Sequence, residues 1–324
     1  MLDSHGRVID YLRISVIDRC NLRCVYCMPE EGLELTSHEE VLSYGEIVRI
    51  CRLMAEMGLK KIKLTGGEPL VRRDLPELVR RLKAIPGIEK VTLTTNGVLL
   101  ADLMEELSRA GIDAVNVSLD TLDRELYRQI TRRDALEAAL KGLKTALDYP
   151  DISLKINCVP MGLPEQNLEE LAALAKNAPI HVRFIEMMPI GFGKNFRFVG
   201  EEEIIGRLEA CFGKAQPYGG RLGNGPCHYY NFAGFQGKIG CISAISHKFC
   251  GECNRVRLTS QGFLKNCLQY NTGSDLKAPL RQGLSDEELK TLIVDTIQNK
   301  PVGHRFLEEH ITDENNLGMS QIGG

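Results

Sequence analysis

Three cysteines near the amino terminus have a spacing that suits a metal cluster. Cys20, Cys24 and Cys27 follow the first predicted strand, and soft thiolates favour iron–sulfur ligation. A [4Fe-4S] cluster takes a ligand at each iron, so three cysteines leave one iron open to another molecule. The alternative is a zinc site, but such sites usually close with a fourth protein ligand, and none is adjacent. The spacing therefore predicts an open iron–sulfur cluster.

A second group of cysteines lies far along the chain. Cys250, Cys253 and Cys267 again form a triad without an obvious fourth cysteine. Arg255 and Arg257 follow Cys253, and strand alternation puts both on one face. They would either face a ligand or lie on a solvated strand edge.

Strand-like and helical segments alternate through the first part of the chain. Strands are predicted at residues 11–17, 61–65, 90–94, 114–119, 153–159 and 181–187, and helices at residues 47–57, 75–82, 99–107, 122–147 and 168–175. This repeat predicts an α/β fold with a parallel sheet and right-handed crossovers. The sheet would be either open and doubly wound or barrel-like.

Alternation along these strands separates an apolar face from a polar one. The polar face collects Arg13, Ser15, Lys63, Thr65, Thr92, Thr94, Asn96, Asn116, Ser118, Asp120, Lys155 and Asn157. It would be either solvated sheet surface or the wall of a wet cavity, and parallel sheets seldom leave a face bare. We therefore expect a curved sheet around a cavity, in which Arg13, Lys63 and Lys155 favour an anionic small molecule.

The pattern changes after about residue 195, which predicts a first domain over residues 1–195 and a second region over residues 196–324. Helices are expected at 201–212 and 285–299, a glycine-rich loop at 216–225, short strands at 228–232, 238–245, 255–259 and 263–268, and a hairpin turn at 260–262. The tail, residues 308–324, ends in two glycines and has little periodicity. We expect it to be mobile without ligand.

The overall composition limits the partners of the chain. Its 324 residues include 40 basic and 43 acidic side chains, a formal charge of -3, so no general cationic field would attract DNA, RNA or a membrane surface. The first residues are polar, and no apolar run approaches the length that spans a bilayer. Eleven cysteines in a chain of this size favour metal ligation over disulfides. We expect a cytoplasmic protein.

The first triad, with Tyr26 before its last cysteine, resembles the signature of the radical S-adenosylmethionine (SAM) superfamily. Thr65-Gly66-Gly67-Glu68-Pro69 resembles its motif for the methionine moiety of SAM, where glycines would let backbone groups approach a zwitterion. In that superfamily the open iron binds SAM, and reduction yields a 5′-deoxyadenosyl radical. The resemblance implies a partial TIM-type (β/α)6 barrel with a C-terminal α+β extension that carries the second cluster.

Both triads, the Arg-x-Arg and the terminal Gly-Gly together resemble, over nearly the whole chain, the family that cyclises GTP in the first step of molybdenum-cofactor biosynthesis. The resemblance implies two [4Fe-4S] clusters and SAM as cofactors, removal of the ribose 3′ hydrogen, and 3′,8-cyclo-7,8-dihydro-GTP as product. It implies GTP contacts at Arg13, Lys63, Thr94, Lys155, Arg183, Arg255 and Arg257, SAM contacts at Tyr26, Gly66, Gly67, Glu68, Ser118 and Met188, and catalytic roles for Arg13, Gly323 and Gly324. The family usually has arginine where Lys63 stands, and lysine keeps the charge but loses the bidentate fork.

The same resemblance implies a reductant such as flavodoxin or ferredoxin, a downstream cyclic pyranopterin monophosphate synthase, and a homodimer. Two other functions stay open at this point. One is another radical SAM enzyme with an auxiliary cluster, such as a peptide-maturing enzyme, although those usually carry more distal cysteines. The other is a non-catalytic module that binds zinc or a cluster.

Overall fold

A parallel sheet of six strands forms the centre of the computed structural model, which describes residues 1–34, 36–220, 222–308 and 318–323. The strands are β1 Tyr11–Ser15, β2 Lys61–Thr65, β3 Lys90–Thr95, β4 Ala114–Ser118, β5 Ser153–Cys158 and β6 His181–Ile185. They pair in chain order, and every pair is parallel. All six predicted strands are confirmed, with ends that shift by at most two residues.

Helices follow the first five strands and cover the apolar face of the sheet. They are α1 Tyr44–Glu56, α2 Leu75–Lys83, α3 Leu100–Arg109, α4 Arg124–Thr131, α5 Leu136–Leu147 and α6 Leu168–Asn177. Ser43 and Glu46 form a capping box at the start of α1, and the side chains of Asp123 and Asn167 cap α4 and α6. Strand residues such as Leu12, Ile62 and Val117 are fully buried beneath these helices.

The prediction of one helix over residues 122–147 is wrong, because α4 and α5 are separate helices. Arg132 ends α4 in the left-handed region, with φ at 54°. The apolar residues of the two helices follow compatible periods, so periodicity alone predicts one continuous helix. At the break, Arg132 Nη1 donates to the carbonyls of Arg23 (3.2 Å) and Met28 (3.1 Å), the residues directly before Cys24 and directly after Cys27.

The later part of the chain adds strands to both edges of the same sheet. Its elements are α7 Glu201–Phe212, β7 Gln216–Tyr218, β8 His228–Asn231, β9 Ile239–Ile242, β10 Arg255–Leu258, β11 Phe263–Lys265, β12 Gly273–Asp275, α8 Lys277–Arg281, α9 Asp286–Gln298 and α10 Met319–Ile322. Strand β9 pairs in parallel with β6, and β10 pairs in parallel with β1. The resulting order is β12-β11-β10-β1-β2-β3-β4-β5-β6-β9-β8-β7, which does not close on itself within the described residues.

The predicted helices and strands of this region are confirmed, and β7, β12, α8 and α10 are additional. Strand β7 occupies the first three residues of the loop predicted at 216–225, so that part of the loop prediction is wrong. The hairpin turn between β10 and β11 contains Gly262 with φ at 86°, which only glycine adopts readily. The tail that was predicted to be mobile lies partly outside the described residues. Within them Ile322 is fully buried. No helix in the described ranges has the length and apolarity to cross a bilayer.

Candidate active site

The polar face of the sheet surrounds a cavity of about 410 Å³. All of the polar-face residues predicted from alternation, except Ser15, line it. Ser15 is buried, and its hydroxyl donates to the carbonyl of Ile17 (3.2 Å). The volume is in the range of small-molecule sites. The interpretation of the polar face as a cavity wall is therefore confirmed.

The first cysteine triad lies on a short loop at one end of the cavity. The amides of Arg23 and Val25 donate to the last carbonyls of α4 (2.9 Å each), so the end of α4 fixes the loop. In the described part of the chain none of these cysteines forms a disulfide. Burial raises the pKa of Cys20 to about 12, so the thiol stays neutral until a metal displaces its proton.

The three thiols fit a cluster better than a single ion. In a cluster each cysteine binds a different iron, so the sulfur atoms need not converge on one point. Among the described His, Cys, Asp and Glu residues, no group of three is placed to hold a single metal ion. The loop also supplies a donor to sulfur, because the amide of Leu22 lies 3.4 Å from Cys20 Sγ.

The glycine-rich segment after β2 packs directly against this loop. A Cβ at Gly66 would overlap the carbonyl oxygen of Ile17, and a Cβ at Gly67 would overlap that of Arg19. The amides of Gly67 and Glu68 donate to these same carbonyls (2.7 and 2.8 Å). The glycines are thus required for contact between the two loops. The sequence analysis did not predict this packing role of the glycines. Their contact with SAM stays a prediction.

The Glu68 carboxylate is occupied by the protein itself. It accepts hydrogen bonds from Thr95 Oγ1 (2.6 Å) and from the amides of Asn96 (2.7 Å) and Leu70 (3.0 Å). Burial raises the pKa of Glu68 to about 7 despite these bonds. The side chain therefore joins the glycine-rich segment to the end of β3.

Tyr26, Gly67, Ser118 and Met188, which the resemblance assigned to SAM, all line the cavity. The Tyr26 hydroxyl donates to Asp120 Oδ2 (2.7 Å). Asp120 Oδ1 accepts from the amide of Val159 (2.8 Å), and burial raises the pKa of Asp120 to about 6. Alternation placed Asp120 on the polar face, but no motif marked it as a site residue.

The cations assigned to GTP also come together in the cavity. Its lining includes Arg13, Lys63, Lys155, Arg183, Arg255 and Arg257, with Thr94 beside them. Burial, followed by the charges of Arg183 and Arg13, lowers the pKa of Lys63 far below its usual value. Burial lowers the pKa of Arg257 in the same way, with further effects from Arg13 and Arg255. A bound anion would relieve this repulsion.

Hydrogen bonds orient two of these cations. Arg183 Nη2 donates to Asn157 Oδ1 (2.6 Å), and Lys155 Nζ donates to Ser153 Oγ (2.6 Å). Burial, together with Arg183 and Lys90, lowers the pKa of Lys155 to about 8. Both cations therefore depend on neutral neighbours for their orientation.

The second triad lies at the other end of the β1–β10 pair. Strand β1 leads into the first triad, whereas Cys253 precedes β10, and the two strands run parallel with Arg13 opposite Arg257. Burial raises the pKa of Cys253, but the charges of Lys300, Arg255 and Arg7, together with a hydrogen bond from the amide of Arg255, outweigh it, and the net shift of the pKa is downward. The thiolate that a metal needs is thus favoured.

Several polar atoms beside the second triad have no partner in the described chain. Arg255 Nε and Nη2, Gln269 Nε2 and His304 Nδ1 are buried without a hydrogen bond to any described residue. Buried donors normally find an acceptor, so their arrangement fits a site that holds another group. Gln269 and His304 line the cavity, as does Lys300. No motif in the sequence marks these three residues.

The carboxy-terminal tail enters the same site. Arg257 Nη1 donates to the carbonyl of Gly323. Gly323 has φ at 74°, and a Cβ there would lie 3.1 Å from Thr65 Cγ2 and 3.3 Å from Ser15 Cβ. Arg257, which was assigned to GTP, and Gly323, which was assigned a catalytic role, are therefore in contact. Gly324 lies outside the described residues.

The family model for the radical SAM superfamily matches residues 14–178, just over half of the chain, so the chain belongs to that superfamily. The structure of Streptococcus suis SuiB bound to its precursor peptide SuiA superposes with a TM-score of 0.64. The alignment has 16% identity and covers 92% of this chain and 66% of that chain. At this identity the likeness shows the fold alone.

Comparison with curated relatives gives a narrower assignment. A second family model, Molybdenum Cofactor Synthesis C, matches residues 180–306. The GTP 3′,8-cyclases of Syntrophomonas wolfei and Pelotomaculum thermopropionicum are 44% and 46% identical to this chain, and each alignment covers 100% of both proteins. Within the superfamily, the chain belongs to the GTP 3′,8-cyclase family.

Proposed function

We propose that this chain is a radical SAM enzyme that converts GTP to 3′,8-cyclo-7,8-dihydro-GTP in the first step of molybdenum-cofactor biosynthesis. The observation that carries the proposal is the cavity lining, which contains both cysteine triads and the six cationic side chains that the resemblance assigned to GTP. GTP supplies a triphosphate for the cations, and two clusters with open irons can each bind a molecule. Family membership gives the same assignment independently.

Cys20, Cys24 and Cys27 would hold one [4Fe-4S] cluster, and Cys250, Cys253 and Cys267 the other. If bound and reduced, the first cluster would supply the electron that cleaves SAM, and the 5′-deoxyadenosyl radical from SAM would take the ribose 3′ hydrogen of GTP. Carbon 3′ of the ribose would then bond to carbon 8 of guanine within the same substrate molecule, and a second electron from the reductant, with a proton, would convert the cyclised radical to the dihydro product. No Gly-x4-Gly-Lys-Ser/Thr phosphate loop occurs in the sequence, so side chains must bind the nucleotide.

The protein contributes positioning and charge. Arg13 and Arg257 lie opposite each other between the two triads, where they would hold the triphosphate. Tyr26, held by Asp120, would contact SAM beside the first triad together with Gly67, Ser118 and Met188. Gly323, held by Arg257, would cover the cavity and keep water from the radical.

The proposal extends to the domains of the chain, its protein partners, its oligomeric state and its location. Strands β1–β6 and their helices would form a partial (β/α)6 barrel over residues 1–195, and residues 196–324 an α+β extension that carries the second cluster. A flavodoxin or ferredoxin would supply electrons, and a cyclic pyranopterin monophosphate synthase would consume the product. We further propose a homodimer in the cytoplasm, where cysteines stay reduced for cluster ligation.

Isotope transfer tests the proposal directly. The chain is reconstituted anaerobically with iron and sulfide, reduced, and given SAM with GTP deuterated at carbon 3′. We expect deuterium in 5′-deoxyadenosine, and a product with the mass of a GTP isomer that has lost this deuterium from carbon 3′. Unlabelled 5′-deoxyadenosine, or a protein that binds zinc and no iron, would contradict the proposal. Cys250→Ser is the matched variant: it should still cleave SAM without cyclising GTP.

A further inference from the structure

Arg7 lies before β1 and is not part of the cavity lining. The residue is buried, with 7% of its surface exposed, and its side chain joins distant parts of the chain. The guanidinium donates five hydrogen bonds to described residues, and their acceptors are the Asp3 carboxylate and the main-chain carbonyls of Cys250, Lys300, Pro301 and Val302. The shortest are Nε to Asp3 (2.6 Å) and Nη2 to Pro301 (2.7 Å). A guanidinium has five N–H donors, so the whole group is used.

Three of the four carbonyls that Arg7 holds belong to one segment, residues 300–305, which we call the strap. The strap contacts the loop of Cys250, because the amide of His304 lies 3.4 Å from Cys250 Sγ. A Cβ at Gly303 would lie 3.1 Å from Cys250 Cβ, so the strap packs closely against the loop. Arg7 Nη1 bridges the same two parts, since it donates to Cys250 O and Val302 O (2.9 Å each).

The strap also holds the loop of Cys267. Lys300 Nζ donates to the carbonyl of Asn266 (2.6 Å), the residue before this cysteine. The amide of Arg305 donates to Gln269 Oε1 (2.6 Å), two residues after it. The two cysteine loops are therefore linked through the strap.

We infer that Arg7 is a positioning residue for the second cluster. Its guanidinium fixes the strap against the Cys250 loop, and the strap fixes the Cys267 loop, so the spacing of the thiolates depends on a residue 243 positions before Cys250. Without the guanidinium, the carbonyls of Lys300, Pro301 and Val302 lose their described donor and the carbonyl of Cys250 keeps only the amide of Cys253, so the loops move to find others. The inference rests on the proposed assignment of a cluster to Cys250, Cys253 and Cys267.

The test compares the full-length chain with Arg7→Met after anaerobic reconstitution. The wild type is expected to hold about eight irons, and Arg7→Met about four. In electron paramagnetic resonance of the reduced proteins, the signal that changes on addition of SAM should persist in Arg7→Met, and the SAM-insensitive signal should be lost. Arg7→Lys should give an intermediate iron content, because an ammonium cannot reach the Asp3, Cys250 and strap oxygens together.

Arg49→Met is the matched control for a loss of general stability. Arg49 also ties distant segments together, donating to Leu284 O and Asp286 Oδ1 (2.8 Å each), but it contacts neither the strap nor a cysteine loop in any described hydrogen bond. We expect Arg49→Met to lower the melting temperature while the iron content stays at about eight. Equal iron loss in the Arg7 and Arg49 variants would overturn the inference.

Asp3→Asn provides a milder variant if Arg7→Met does not fold. It keeps an oxygen acceptor for the amides of His5 and Arg7 but removes the charge that orients the guanidinium. We expect an iron chelator to remove the second cluster about 10-fold to 100-fold more easily than from the wild type. If the second cluster of Asp3→Asn resisted the chelator as well as that of the wild type, the inferred role of Arg7 would be wrong. The same holds if Arg7→Met contained as much iron as the wild type. A wild type with only about four irons would instead overturn the second cluster itself.

Discussion

Lys155 illustrates how the cavity sets the charge of a single residue. Burial, Arg183 and Lys90 lower its pKa to about 8 from the usual 10.5. The ammonium that would bind a phosphate is therefore fully present well below pH 8 and is lost as the pH rises through about 8. A lysine in water would keep its charge over that range.

This shift predicts a pH limit on substrate binding. In the wild type, kcat/KM for GTP should fall above about pH 8, because this ratio reports the ionisation of the free enzyme. Lys155→Arg should remove that fall, since a guanidinium stays protonated throughout. The measurement is kcat/KM between neutral pH and about pH 9, with uncoupled SAM cleavage as the control. The same fall in Lys155→Arg would show that another group sets the limit.

Alternation along a strand could place Asp120 and Asn157 on the polar face but could not give them partners. Asp120 accepts a hydrogen bond from the Tyr26 hydroxyl, and Asn157 accepts one from Arg183, which lies on the adjacent strand. Such pairings depend on strand register and on rotamers, and neither is encoded in the period of a single strand.

At the scale of elements, the loop after β1 and the loop after β2 act as one unit. The glycine-rich segment fits against Ile17–Arg19 only because Gly66 and Gly67 lack a Cβ. The loop of Cys24 is held from the other side by the last turn of α4. The first triad is thus positioned by three elements that are separate in the sequence.

Gly67→Ala tests this arrangement. The added methyl group overlaps the carbonyl of Arg19, so the two loops must separate and Cys20 must move. After reconstitution we expect the iron content to fall from about eight to about four, with loss of SAM cleavage. The measurement is iron per chain with electron paramagnetic resonance.

Gly206→Ala is the control for Gly67→Ala. Gly206 lies within α7, and no described atom is within 4 Å of an added Cβ. Alanine favours a helix over glycine, so we expect full iron content and equal or slightly greater stability. If Gly67→Ala also kept both clusters, the loop contact would not be needed for the first triad.

At the scale of the whole molecule, the pairing of β10 with β1 decides where the two triads lie. It brings residues 250–267 to the strand that leads into Cys20 and sets Arg257 opposite Arg13. The tail then reaches the same place, where Gly323 lies against Ser15 and Thr65 and accepts a hydrogen bond from Arg257. The amino-terminal strand, the distal hairpin and the tail therefore build one cavity.

Gly323→Ala should uncouple the two parts of the reaction. Its methyl group would crowd Thr65 and Ser15, and its φ of 74° disfavours any residue with a Cβ. We expect slower GTP cyclisation with SAM cleavage largely retained, measured as product formed per 5′-deoxyadenosine. Gly283→Ala is the control, because Gly283 has a φ of 86° but no described atom near its added Cβ. An equal loss of coupling in both variants would argue against a role for the tail.

The sequence by itself determined the features that are local in the chain. Cysteine spacing defined the first triad and the Cys250–Cys253 pair of the second, because these ligands lie within a few residues of each other. Period-two alternation separated Leu12 and Ile62 from Arg13 and Lys63, because neighbouring side chains on a strand point to opposite faces. The strand positions followed from the same pattern.

The tertiary structure alone decided which distant segments meet. The break at Arg132 depends on the φ of one residue, which apolar periodicity does not report. The addition of β9 and β10 to opposite edges of one sheet depends on long-range strand pairing. The hydrogen bonds from Arg7 to the Cys250 loop and the strap join residues more than 240 positions apart. These contacts are set by packing of the complete chain, and no local pattern carries that information.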